Sequence, residues 1–223
     1  GSRLYLESKI DQSELMPAIY RQKYWRARSC RPLANYFEID CINIAVHIRR
    51  GDVVALKDID KTQWANRWID NSYYINALTE LTRLLVLIPF KIHIYSDGKR
   101  EELAELACFP NIVFHLDEDP TASFHGMINA DILIVSSSAF AICAGKISSN
   151  LKLVSKGFDK PEFRLFIPTS ESWVEIEPSG HFSDVARLQI TEMLSQAIST
   201  HLLVCEPQKN PGERIGIYDN VWH

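Results

Sequence analysis

Two arginines, Arg49 and Arg50, directly follow the short apolar run Asn43–Ile48 and are followed in turn by Gly51 and Asp52. A guanidinium presents a planar fork of donors that matches phosphate oxygens, and no ordinary pH removes its charge. Gly51 permits a sharp turn or a close approach of backbone to a ligand. The chemistry this spacing points to is a diphosphate clamp. The same residues also allow a plainer outcome, a strand-ending turn with a local Arg–Asp ion pair. Two further polar tips, Ser96-Asp97-Gly98 and Ser136-Ser137-Ser138, each follow an apolar run in the same way.

The elements that must position these groups are legible from periodicity. Asn43–Ile48, Lys91–Tyr95, Ile112–Phe114, Ile132–Val135 and Leu151–Val154 read as short buried strands. Between them, helices are expected from Asp70 or Asn71 to about Ile88, near Lys99–Cys108, near Ala122–Ala130 and over Ala139–Ile147. Tyr74, Ala77, Leu78, Leu81, Leu84, Leu85 and Ile88 carry the three-and-four spacing of a buried stripe, and Pro89 closes it. Alternating strand and helix predicts an α/β fold with a parallel sheet covered on both faces. Right-handed crossovers then bring His47–Asp52, Ser96–Gly98 and Ser136–Ser138 to one carboxyl edge.

Residues 1–42 read as a lead-in of one or two helical turns, 43–205 as one α/β domain that carries the candidate diphosphate site, and 206–223 as an extended tail rich in Pro, Gly and polar residues. In the tail of the domain, Phe166-Ile167-Pro168 precedes a strand-like Trp173–Ile176 and an amphipathic helix near Asp184–Val204. The connection 53–70 is long enough to be a functional loop. It holds Asp58-Ile59-Asp60, and with Asp117-Glu118-Asp119 it raises the alternative of a divalent cation bridging carboxylate and diphosphate. Surface acid clusters are the usual explanation of such triplets, and a site holding two arginines has less need of a metal.

At 223 residues and 46% hydrophobic composition, the chain can fill one core. A net charge of −4 offers no basic field for nucleic acid, and no apolar run approaches the ~20 residues of a membrane span. The five cysteines are odd in number and widely spaced, which fits neither a disulfide framework nor a zinc site and points to a reducing compartment such as the cytoplasm. Gly1-Ser2 without a starting Met reads as the remnant of a tag, so further domains of a longer protein are expected upstream.

Val46–Val53, VHIRRGDV, resembles the His-x-Arg-Arg signature of the α1,2-, α1,6- and protein O-fucosyltransferase superfamily. Tyr73-Tyr74-Ile75-Asn76-Ala77 is similar to the Tyr-Tyr-x-x-Ala of the α1,2 branch, Ile94-Tyr95-Ser96-Asp97 to that branch's Phe-Ser-Asp, and Met127–Ile142 resembles the family's segment ending in a serine-rich turn. The resemblance covers about residues 43–180. It implies a three-layer Rossmann-like sheet like the donor-binding half of a GT-B glycosyltransferase, and an inverting, metal-independent transfer of fucose from GDP-fucose to a glycan hydroxyl, with no other cofactor. Carried over, it places Arg49 on the β-phosphate, Arg50 as a supporting cation that orders the loop, His47 as the residue orienting the donor, and Ser96 and Asp97 in the donor site. It also makes Ser136, Ser137 and Ser138 phosphate donors at a helix start.

Two positions depart from the pattern. Ser123 stands where the family has a guanine-binding aspartate, with Asp117 or Asp119 as substitutes from the preceding loop. Lys57, with Asp58 beside it, stands where one branch has a glutamate base. Asp52 and Asp58 are therefore the two candidate bases, and Asp52 serves equally as a brace for Arg50. The alternative function is a non-catalytic nucleotide-sugar or glycan-binding module, since few residues precede Asn43 to form an acceptor lobe.

Overall fold

Every residue of Ile42–Ile48 (β1) is buried, a state open only to a central strand covered on both faces. A computed structural model of the chain describes residues 12–31, 33, 37–56, 67–156 and 172–204. In it β1 pairs in parallel with Phe90–Ser96 (β2) on one side and Ile132–Ile134 (β4) on the other. Ile112–Leu116 (β3) extends the sheet beyond β2, and Leu151–Ser155 (β5) and Trp173–Ile176 (β6) extend it beyond β4, all in parallel. The order of the six strands is therefore β3-β2-β1-β4-β5-β6. This is the doubly wound order that reverses direction between β1 and β4.

Side-chain alternation along β1 divides the core in two. Ile42, Ile44, Val46 and Ile48 join Asn71–Leu84 (α3), a segment over Arg100–Cys108 and Asp184–Val204 (α6) on one face. Ala45 joins Pro120–Asn129 (α4) and Ala139–Ile147 (α5) on the other, where Gln12–Cys30 (α1) also packs. Helices on both faces of a wholly parallel sheet make a three-layer Rossmann-like α/β fold.

Several helical elements differ from expectation. Arg100–Cys108 is a 3₁₀ helix, and its buried residues Leu103 and Leu106 lie three apart, the spacing that a three-residue turn places on one stripe. α3 stops at Leu84, where the Leu85 N–H is shared between the Leu81 and Thr82 carbonyls (3.2 Å each). Pro89 disfavours helix in the residue before it, and Val86 and Leu87 are left exposed. α1 runs far beyond one or two turns because it is anchored at a distance. Arg21 donates to the carbonyls of Ile147 (2.8 Å) and Ser148 (3.3 Å) at the end of α5, and Tyr24 Oη meets His125 Nδ1 at 2.5 Å.

The turn after β6 is held against α3. Asn76 Nδ2 donates to the Ser179 carbonyl (2.8 Å), and Gly180 sits at φ +88° with its α-carbon facing the Tyr73 carbonyl oxygen. Gly180→Ala would strain the backbone and drive a methyl into that oxygen. It is expected to lower stability by about 1–3 kcal/mol, read as a lower urea midpoint, and an unchanged midpoint would contradict the packing described.

Candidate phosphate-binding site at the carboxyl edge

β2, β1 and β4 are neighbours, so the three polar tips that follow them share one rim. The gap between β1 and β4 is the switch point of the sheet, the place where open α/β folds receive ligands. Across this gap His47 Nδ1 and Ser136 Oγ share a hydrogen bond of 2.6 Å. Ser136, Ser137 and Ser138 are all buried, and the Ser138 N–H donates to the Ser136 carbonyl (2.7 Å), which folds the turn tightly. Ser138 is the N-cap of α5, yet its side chain makes no capping hydrogen bond. The first amide groups of α5 thus keep their capacity for an anion at the positive end of the helix.

Burial pushes the His47 pKa down to about 4, the nearby Asp97 carboxylate raising it and Arg49 lowering it by smaller amounts. The imidazole is therefore neutral at pH 7. It is a hydrogen-bonding and orienting group, not a third cation.

Continued alternation past the end of β1 parts the two arginines. Arg50 turns toward α3 and is fully buried. Its Nη1 donates to the carbonyls of Arg49 (3.0 Å) and Ile69 (3.1 Å), its Nη2 donates to Asn71 Oδ1, and its guanidinium lies 4.0 Å from the centroid of the Trp68 ring. Arg50 therefore orders the connection into α3. Both Nη groups are directed at protein acceptors and Nε is buried without a hydrogen-bond partner, away from the rim, so a two-arginine clamp is not what the geometry provides. Arg49 stays at the rim with its side chain 21% exposed, and it donates from Nε to Asp52 Oδ1 (3.2 Å) and from Nη2 to Asp52 Oδ2 (2.7 Å). The local Arg–Asp ion pair that the sequence allowed is formed, but Asp52 braces Arg49, the arginine nearest to the cleft, and not Arg50, which turns to the other side of the strand.

Gly51–Leu56 (α2) begins directly at this pair, so the start of the long connection expected from residue 53 is helical. Asp97 accepts from the Arg50 N–H (2.8 Å), and its carboxyl lies so close to Gly51 that a side chain there would collide with it. Ser96 Oγ accepts from the Gly98 N–H (3.0 Å). Both residues therefore shape the β2 tip and hold it against the β1 tip. Hydrogen bonding from Arg49, opposed by a smaller desolvation, keeps the Asp52 carboxyl below its usual range. Asp58 and the rest of 57–66, including Lys57 and Asp60, lie outside the described residues, as does Phe166-Ile167-Pro168.

Ser123 falls in the first turn of α4, where its N–H donates to the Asp119 carbonyl (3.0 Å). Asp119 caps that helix through the Ala122 N–H (3.0 Å). The next residue, Phe124, brings in a feature that the polar motifs did not reveal. Its ring lies 5.2 Å from that of Phe140, which in turn lies 5.8 Å from the His47 ring. Phe140 is 36% exposed in spite of its size. An apolar residue just after a serine turn gives no sequence signal of its own, because most such residues enter the core.

The pH dependence of folding follows from His47. Its pKa lies at about 4 in the fold against 6.5 for a free side chain, so between these values the unfolded chain binds a proton that the native state refuses. Stability is complete above about pH 6.5 and falls toward pH 4, on the order of 3 kcal/mol for this group. His93, buried and also depressed to about 4, contributes in the same window. Urea unfolding of His47→Asn is expected to show a shallower loss over that range than the parent chain, and identical slopes would contradict a buried neutral His47.

A second polar chain lies further along the same face. His93 Nδ1 meets His115 Nε2 at 3.0 Å, and His115 Nδ1 meets Glu118 Oε1 at 3.0 Å. Among the described residues, no group of three or more His, Cys, Asp or Glu side chains is placed to hold a metal ion, and no helix is long and apolar enough to cross a membrane. Cys30, Cys41, Cys108 and Cys143 are free thiols. No protein-family model and no curated protein matches this chain.

Proposed function

We propose that the chain binds a nucleoside diphosphate sugar at the carboxyl edge between β1 and β4 and acts as an inverting, metal-independent glycosyltransferase, with GDP-fucose as donor and a glycan hydroxyl as acceptor. One observation carries the reading. The His47–Ser136 hydrogen bond joins the His-x-Arg-Arg tip of β1 to the start of α5, so a rim arginine and a helix start without a side-chain cap border the same switch point. In this reading the α5 amide groups and the serine turn hold the diphosphate. Arg49 leaves Asp52 to meet the charge that grows on the departing phosphate, the preorganised electrostatics that contributes several kcal/mol in such sites. The acceptor hydroxyl attacks the anomeric carbon from the opposite side and gives up its proton to a base. The VHIRRGDV resemblance names the donor. Incubating the chain with GDP-fucose and a glycan acceptor, with and without EDTA, tests the whole. Turnover that survives EDTA supports it, and no binding of GDP-fucose refutes it.

A binding module without turnover is the second reading, and the Asp52 geometry favours it. A carboxylate already paired with Arg49 and held ionised is a weak proton acceptor. Asp52→Asn separates the two roles. If Asp52 is the base, kcat falls by about a hundredfold or more. If it braces Arg49, nucleoside diphosphate binds more tightly because the guanidinium is released, and any kcat stays within a few fold. The geometry favours the brace, and that is the expected result.

A further inference from the structure

Phe140 is the second residue of α5, in the turn whose amide groups face the proposed phosphate position, and it keeps 36% of its surface in water. Its ring is supported on two sides, by His47 at 5.8 Å (52° between planes) and by Phe124 at 5.2 Å (47°). Phe124 is itself backed by Tyr24 at 6.2 Å (67°). The result is a wall of rings fixed by packing and left partly uncovered, next to a cation and a helix start. We propose that Phe124 and Phe140 form the stacking wall for the planar base of the nucleoside diphosphate whose phosphates lie at Arg49 and the amino end of α5.

The proposal rests on the phosphate reading above and adds the half of the ligand that charge alone does not select. Arg49 and the α5 amides attract any diphosphate. A flat aromatic face adds affinity only for a ligand that carries a π-surface, and it does so for every base because each presents one. Because packing holds the rings in place beforehand, little ordering is needed when the base arrives. His47 belongs to both halves, since one ring nitrogen meets Ser136 while the ring lies against Phe140. This fixes the orientation of phosphate site and wall relative to each other.

Calorimetric titration of the full chain with GDP and with inorganic pyrophosphate tests the assignment, using Phe140→Ala, Phe140→Leu and Phe140→Trp. The alanine and leucine variants are expected to weaken GDP by about ten- to a hundredfold and to leave pyrophosphate within about twofold. Leucine retains apolar bulk and so guards against a loss of folding. The tryptophan variant should retain GDP affinity and gain a fluorescence component, absent from the parent, that GDP quenches and pyrophosphate does not. GDP affinity within twofold of the parent in both the alanine and leucine variants overturns the stacking wall, as does an equal loss for GDP and pyrophosphate. A parent chain that binds GDP but no pyrophosphate, or whose pyrophosphate binding ignores Arg49→Ala, overturns the phosphate reading and with it this one.

Discussion

Arg49→Ala is expected to weaken nucleoside diphosphate binding by about ten- to a hundredfold, the effect of losing hydrogen bonds to a charged group, and to leave the thermal midpoint nearly unchanged. Both halves follow from its place at the rim. Its present partner is Asp52, with side-chain exposures of 21% and 44%, and exposed pairs of this type typically contribute no more than about 1 kcal/mol. Arg49→Lys should recover only part of the affinity, because a point charge does not reproduce the two-pronged donor. Should turnover be present, kcat should fall by a further hundredfold or so, since the charge on the leaving phosphate grows toward the transition state. Calorimetry and a melting curve on the same samples check the pair of outcomes. Unchanged affinity would remove Arg49 from the site.

Arg50→Leu is expected to do the reverse. Arg50 is fully buried, and its donors satisfy the Arg49 and Ile69 carbonyls and Asn71. Leucine would leave these part-buried acceptors without their donor, at up to about 1–3 kcal/mol each before relaxation, and would remove the cation from above the Trp68 ring. A net loss of about 3–5 kcal/mol is expected, equivalent to roughly 10 °C in the midpoint for a chain of this size. Any loss of ligand affinity should be secondary, through the connection between α2 and α3. A variant that melts like the parent yet loses GDP would place Arg50 in the phosphate site and contradict the buried geometry. Two adjacent arginines of the same motif thus separate into a binding group and a structural group.

That separation was partly legible in the sequence. Strand alternation requires residues 49 and 50 to leave β1 in opposite directions, yet the motif reads as one paired clamp because sequence adjacency hides the pleat. The order of the fold was easier to read. Ala139–Ile147, Trp173–Ile176 and Asp184–Val204 occur with the bounds that periodicity predicts, and parallel strands at the rim follow from the alternation of short apolar runs with helical stripes. What remained hidden depends on distant partners. α1 owes its length to Arg21 on the last carbonyls of α5 and to Tyr24 on His125, contacts that no local pattern encodes. α2 begins at Gly51 where Asp97, from the turn after β2, takes the Arg50 amide. Phe140 resembles any helix residue until its neighbours show that it is not covered.

Nitrogen-15 NMR with GDP titrated into the labelled chain tests the central claim most directly, because the proposed ligands are backbone amides. The largest shifts are expected at Ala139, Phe140 and Ala141, accompanied by the Arg49 side-chain Nε–H, and they are expected to disappear in Arg49→Ala at the same GDP concentration. Shifts confined to another edge of the sheet, or none at millimolar GDP, would contradict it.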